Sequence, residues 1–129
     1  MALVPIRGGD LPSVLLLVRE GVNTLTDEAL SQSCERAHAH LGFYGFSVLE
    51  VPDGGYEELA RLRPALRTRR RFMLADGHEL VAAGFGLLPT LDYPHWTVVI
   101  SEPTAIQFAL VRSHFSKPVL NPSFAGMRS

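Results

Sequence analysis

Cysteine is nearly absent from this chain. Cys34 stands alone among 129 residues, so no disulfide forms within the chain, and a lone thiol fits a reducing compartment. Also missing is any run near the roughly 20 apolar residues of a membrane span. The most apolar stretch, "LPSVLLLVRE" (residues 11–20), follows "RGGD" and has no small-residue cleavage site, so it reads as a core strand and not as a signal peptide. Charge is sparse, at 19% of residues against 47% hydrophobic, which excludes the composition of a disordered segment. There is no Gly-x-x-x-x-Gly-Lys-Ser/Thr loop and no dinucleotide fingerprint, so "RGGD" and "DGG" read as turns. No His, Cys and Asp spacing resembles a zinc site, and no metal is expected.

What is present bounds the answer to one compact domain over 1–129 with a core of ordinary size. The net charge of −1 hides an asymmetry. Nine of the acidic residues and only Arg7, Arg19 and Arg36 lie in residues 1–59, whereas six arginines crowd into "RLRPALRTRRR" at 61–71. Either this run is a patch for a polyanion, or the two halves neutralise each other across the fold.

Hydrophobic patterning gives the elements. "SVLLLVRE" (13–20) suits a strand buried on both faces. A helix follows, with Thr24 and Asp27 in the spacing of an acidic capping box, a stripe of Leu30, Cys34, Ala37 and Leu41, and Gly42 as the stop. Cys34 on that stripe reads as packing. His38 and His40 flank it on opposite sides and read as boundary residues, unable to share one metal ion. "FYGFSVLEVP" is a second strand, and "DGGYEELARLRP" a short helix capped near Asp53. "RRFMLA" is a third strand, and "DGHELVAAG" a short helix with Asp76 and Glu79 in capping spacing. "FGLLPT" and "HWTVVIS" form a hairpin across "LDYP", and "PTAIQFALVRSHF" is the last helix. Residues 116–129 read as an irregular tail. The expectation is an α/β or α+β fold, a single mixed sheet of about five strands packed by about four helices, with some parallel pairing from the early alternation.

Four stretches, "IRGGDLP", "VREGV", "YGFSVLEVP" and "PHWTVVIS", resemble a set of small actinobacterial proteins with no established activity. The resemblance spans nearly the whole chain. It rests on an Arg-Gly-Gly turn, a Gly-Ile-Ser-Val strand and a His-Tyr-Thr-Val strand. This chain departs by having Glu20, Phe46 and Trp96 where the set has glycine, isoleucine and tyrosine. The resemblance implies one domain in a bacterial cytoplasm and carries over no catalytic residue.

Candidate chemistry centres on His95, which opens the most apolar strand. An imidazole titrates near neutrality and serves as acid or base, and Thr97 on the same face can orient it. A metal-free ribonuclease needs a base, an acid and a cation at the transition state. His95, Arg71 and Tyr93 are the expected set, with Arg67, Arg69 and Arg70 as phosphate contacts. The leading expectation is therefore a small bacterial RNA-acting protein, a toxin-like ribonuclease with no cofactor and with RNA or a protein antitoxin as partner. The alternative is an ADP-ribosyltransferase-like toxin that grips NAD. Arg19 ending one strand and Ser47 within the next resemble the first two members of the Arg–Ser–Glu pattern, with Glu102 or Glu79 the glutamates on offer. A third reading is a non-enzymatic protein-binding module. "HWT" (95–97) and "HFS" (114–116) echo the paired His-x-Thr/Ser motifs of two-histidine phosphoesterases, but the second is expected at a helix end.

Overall fold

The computed structural model describes residues 11–125. The Arg-Gly-Gly turn at 7–9 lies outside the described residues. Six strands form one sheet: β1 (Leu16–Glu20), β2 (Gly45–Glu50), β3 (Arg71–Asp76), β4 (Gly86–Leu88), β5 (His95–Val99) and β6 (Val119–Leu120). The helices are α1 (Asp27–Leu41), α2 (Gly55–Leu62), α3 (Gly77–Ala82) and α4 (Ala105–Arg112), and a 3-10 turn covers Pro64–Thr68. The sheet order is β4-β5-β2-β1-β3-β6. The class is α+β, one sheet with four helices, as the pattern implied.

Every pairing in that sheet is antiparallel, and the expected parallel pairing is absent from it. Strand–helix alternation does not by itself set strand direction. The linkers 21–26 and 42–44 return the chain after α1 to the end of the sheet it left, so β2 runs back along β1. The sixth strand comes from the expected tail. Leu74 N donates to Ser116 Oγ (2.9 Å) and Ser116 N to Leu74 O (2.7 Å), and Val119 then pairs with Phe72.

Alternation along the strands builds a core on each face. Leu17, Phe46, Val48, Met73, Ala75, Trp96 and Val98 meet Leu30 and Cys34 of α1, Leu80 of α3, and Phe108 and Val111 of α4. Val18, Leu49 and Phe72 meet Leu59 of α2 and Leu66 of the 3-10 turn on the other face. The α1 cap falls two residues later than its spacing suggests: Thr26 Oγ1 accepts from Ala29 N (3.1 Å), while Thr24 Oγ1 donates to Glu20 O (2.7 Å). Gly42 ends α1 at φ 84, the left-handed conformation that glycine adopts without strain. At α2 the expected cap near Asp53 is replaced by Gly54, with no side-chain cap bond.

One seam in the sheet is incomplete, and it positions the site. β1 pairs with β3 along its whole length, from Leu16↔Asp76 to Glu20↔Phe72. β2 pairs with β5 from Gly45↔Val99 to Leu49↔His95. Between β1 and β2 the register pairs are Leu17↔Glu50 and Val18↔Leu49. Beyond Val18 the two strands part, and the Arg19 side chain occupies the gap.

A candidate anion-binding cleft at the parting of two strands

The Arg19 guanidinium does what the missing strand ladder would have done. Val51 N donates to Leu16 O (2.9 Å). By antiparallel alternation, a continued ladder would bring Glu20 N to Ser47 O. Instead Arg19 Nη1 donates to Ser47 O (2.8 Å). Nη2 and Nε donate to Thr24 O at 3.0 and 3.3 Å, and Nη2 lies 3.4 Å from Ser33 Oγ. The guanidinium also stands over the Phe46 ring, 5.3 Å from its centroid. A guanidinium carries five N–H donors, and these contacts leave one Nη1 proton for the cleft.

The charge on Arg19 is poorly balanced. Among the described residues the ion pairs are Arg67–Glu57, Arg69–Glu20 and Arg112–Asp27, and Arg19 has no carboxylate at that range. Burial lowers its pKa to about 10; Glu20 opposes the shift at longer range and Arg36 adds to it. The group stays charged at neutral pH, in a place where water solvates it badly and a second cation stands nearby. Such a site favours an anion.

A cavity of about 290 Å³ opens beside it, near the lower end of the range for ligand pockets. α1 contributes Ser33, Arg36 and His40, β2 contributes Ser47, and the β4–β5 hairpin contributes Thr90, His95 and Thr97. Arg36 Nη2 lies 3.4 Å from Ser33 Oγ, so one buried hydroxyl touches both arginines.

His95 is held by a chain of buried hydroxyls. Thr90 Oγ1 lies 2.9 Å from His95 Nδ1 and 2.7 Å from Thr97 Oγ1, and Thr90 O lies 3.1 Å from the same Nδ1. A carbonyl only accepts, so the arrangement favours the tautomer with its proton on Nδ1, which makes Nε2 the basic nitrogen. Thr90 and Thr97 are fully or nearly buried. Thr97 therefore orients the ring through Thr90 rather than meeting a ligand first.

Of the expected catalytic residues, His95 and Thr97 stand in this cleft together with Arg19 and Ser47 of the alternative NAD reading. Arg71 and Tyr93 do not join them. Arg71 opens β3, and β2 and β1 lie between that strand and β5; three strand spacings put roughly 14 Å between them. Tyr93 lines a separate acidic hollow with Glu50, Asp53 and Glu58. Nor do Arg67, Arg69 and Arg71 lie on one element. Pro64 starts the 3-10 turn that carries Arg67, and β3 begins only at Arg71. Arg67 is tied to Glu57 at 2.8 Å. Arg70 is exposed, and its carbonyl receives Asn121 N. The three ion pairs each join a second-half arginine to a first-half carboxylate, so part of the charge asymmetry is neutralised across the fold.

Arg69 does come close. With Arg19, Ser47, Arg63 and His95 it lines an adjoining hollow of about 390 Å³. Patterning missed two cleft residues. His40 reads as a boundary residue from its helix position, and Arg36 figures only in the charge count; both are exposed, and only the parting of β1 and β2 gives their flank of α1 something to face. Glu102 lies past β5 and Glu79 lies on α3, so neither supplies the carboxylate an ADP-ribosyltransferase pattern needs in this cleft. His114 follows α4 and meets the Phe85 ring edge-on at 6.5 Å, so the second His-x-Ser is not on a strand facing the first.

No helix among the described residues is long and apolar enough to cross a membrane. No family model matches the chain, and neither a curated protein nor a solved structure matches it.

Proposed function

We propose that the cleft binds a phosphodiester of RNA and that the protein cleaves it as a small, metal-independent, toxin-like ribonuclease. The observation that carries this reading is the half-buried Arg19 cation, without a carboxylate partner among the described residues, beside Arg36 in a cavity that two histidines also line. Two imidazoles and two guanidiniums are the acid, base and charge stabilisers that RNA cleavage requires.

His95 Nε2 takes the proton of a ribose 2′-hydroxyl. The freed 2′-oxygen attacks the adjacent phosphorus, and the bond from phosphorus to the next 5′-oxygen breaks. His40 gives a proton from its imidazole to that 5′-oxygen. The products are a 2′,3′-cyclic phosphate and a free 5′-hydroxyl. Arg19 and Arg36 offset the charge that builds on the equatorial oxygens. An RNA substrate fits work in a bacterial cytoplasm, and a cleft this open gives an inhibitory protein partner, an antitoxin, a place to act.

The test is incubation of the purified protein with a short RNA in excess chelator, with products identified by mass. Cyclic phosphate ends are expected, and His95→Ala and His40→Ala should each lose at least about a hundredfold in rate, the usual contribution of one acid–base group. Equal activity of either variant and the parent protein would remove that residue from the mechanism. Absence of cleavage at all would sink the ribonuclease reading.

A further inference from the structure

We infer that Arg63 and Arg69 form a second phosphate subsite, so that the ligand is an extended RNA strand running past Arg19 from one hollow into the next. The inference rests on the RNA reading of the first cleft, and it names the length and path of what binds there.

The two hollows share a wall. Arg19, Ser47 and His95 line both of them. Arg36 and His40 stand on one side of these shared residues, and Arg63 and Arg69 on the other. Cations thus occur at each end of the path and in its middle, which is how a strand with repeating phosphates is matched.

Arg63 is tied to the reacting end by one carbonyl. Asp92 O accepts from Arg63 Nη2 (3.1 Å) and also from His95 N (2.9 Å). The guanidinium that caps the end of α2 is therefore hung from the same atom that fixes the start of β5. Its other contact is Nη1 to its neighbour's carbonyl, Leu62 O, at 3.2 Å. Among the described residues no carboxylate pairs with Arg63. Arg69 is engaged more loosely, with Nε 3.8 Å from Glu20 Oε2 in an exposed pair. A contact that long between exposed groups is weak and readily exchanged for a phosphate. Glu20 also lines this hollow, and its carboxylate opposes an anion there; the two arginines leave the hollow with a net positive charge.

The site uses only part of the basic run at 61–71. Arg67 is spent on Glu57, and Arg71 lies beyond β1. Arg63 and Arg69 stay with His95 because the 3-10 turn folds the chain between them back, and Asn121 clamps that turn by donating from Nδ2 to Leu66 O and Arg69 O, both at 2.9 Å.

The experiment measures binding, independent of turnover. Fluorescein-labelled 2′-O-methyl mononucleotide and trinucleotide probes are titrated by anisotropy over a range of salt. The trinucleotide should bind at least tenfold tighter than the mononucleotide. Arg63→Gln with Arg69→Gln should erase that advantage, leave mononucleotide affinity unchanged, and flatten the trinucleotide salt slope by about 1.4, at ~0.7 per single-strand phosphate contact. Both residues are on the surface side of the fold, and circular dichroism confirms that the variant is folded; Arg63→Lys with Arg69→Lys should restore most of the slope. Equal affinity of the two probes, or an unchanged slope in the glutamine variant, overturns the subsite. If the trinucleotide binds through these arginines while RNA is never cleaved, the subsite stands and the ribonuclease reading falls. If neither probe binds, both fall.

Discussion

Replacing Arg19 by methionine keeps an unbranched apolar stem, shortens the side chain and removes its charge and all its donors, and the structure gives opposing magnitudes for the result. Ser47 O and Thr24 O lose a charged donor. Hydrogen bonds to charged groups contribute about 1.5–3 kcal/mol each, so the loss is about 3–6 kcal/mol. Against this, the fall of the Arg19 pKa to about 10 means that burying its charge costs the folded state about 3 kcal/mol, at ~1.4 kcal/mol per pH unit. Methionine escapes that cost and keeps an apolar stem beside Phe46. The net expectation is a loss of about 2 kcal/mol and a melting temperature lower by roughly 5–10 °C. Ligand binding should suffer more than stability. Truncating one partner of a desolvated charge pair costs about 2–5 kcal/mol, so affinity for a nucleoside 3′-monophosphate should fall roughly thirtyfold or more. Calorimetric unfolding with and without that nucleotide reads both quantities on one sample. A variant that melts with the parent protein and keeps its nucleotide-induced shift would refute the reasoning, because Arg19 would then be neither the pin between the strands nor the seat of the anion.

Further outcomes follow from the same contacts. Wild-type stability, taken relative to Arg19→Met, should rise as pH climbs above about 10 toward the ordinary arginine value: the folded state releases the Arg19 proton first while the unfolded state still holds it. Urea unfolding at neutral and alkaline pH checks the sign, and a falling difference contradicts it. Thr90→Val removes the hydroxyl that touches both His95 Nδ1 and Thr97 Oγ1; cleavage should drop tenfold or more with a displaced pH profile, whereas a structural role alone would move only the melting temperature. Asn121→Ala leaves Leu66 O, Arg69 O and Ser123 N without that side chain; about 2–4 kcal/mol of stability should be lost, and an unchanged denaturant midpoint would argue that the turn is held by other means. Gly45→Ala would bring a Cβ to 2.8 Å from Thr97 Cγ2 and closer still to Val98 O; overpacking of about 1–3 kcal/mol is expected, read as a lower melting temperature.

Helices and strands were legible because they rest on local periodicity. The apolar stripe of Leu30 and Cys34, the glycine at 42 and the alternation of "HWTVV" are properties of short windows, and each reappears in the packed structure. The hairpin of β4 and β5 was legible from its turn, but the direction of β2 beside β1 was not, since it depends on which end of the sheet the linkers around α1 deliver the chain to. The sixth strand was hidden as well. "VL" between two prolines carries no period, and it becomes a strand only because Ser116 meets Leu74 across the sheet. The cleft divides the same way. His95, Thr97, Arg19 and Ser47 stand out singly by residue type and strand position, but the arginine run drew attention to Arg71, which alternation cannot place relative to β5. What joins the four is the early end of one ladder, where a side chain replaces a backbone donor at Ser47 O. An interrupted pairing has no signature in a single strand. It depends on two strands at once, and so do the exposed Arg36 and His40, which become candidate ligand contacts only when the strands beside them part.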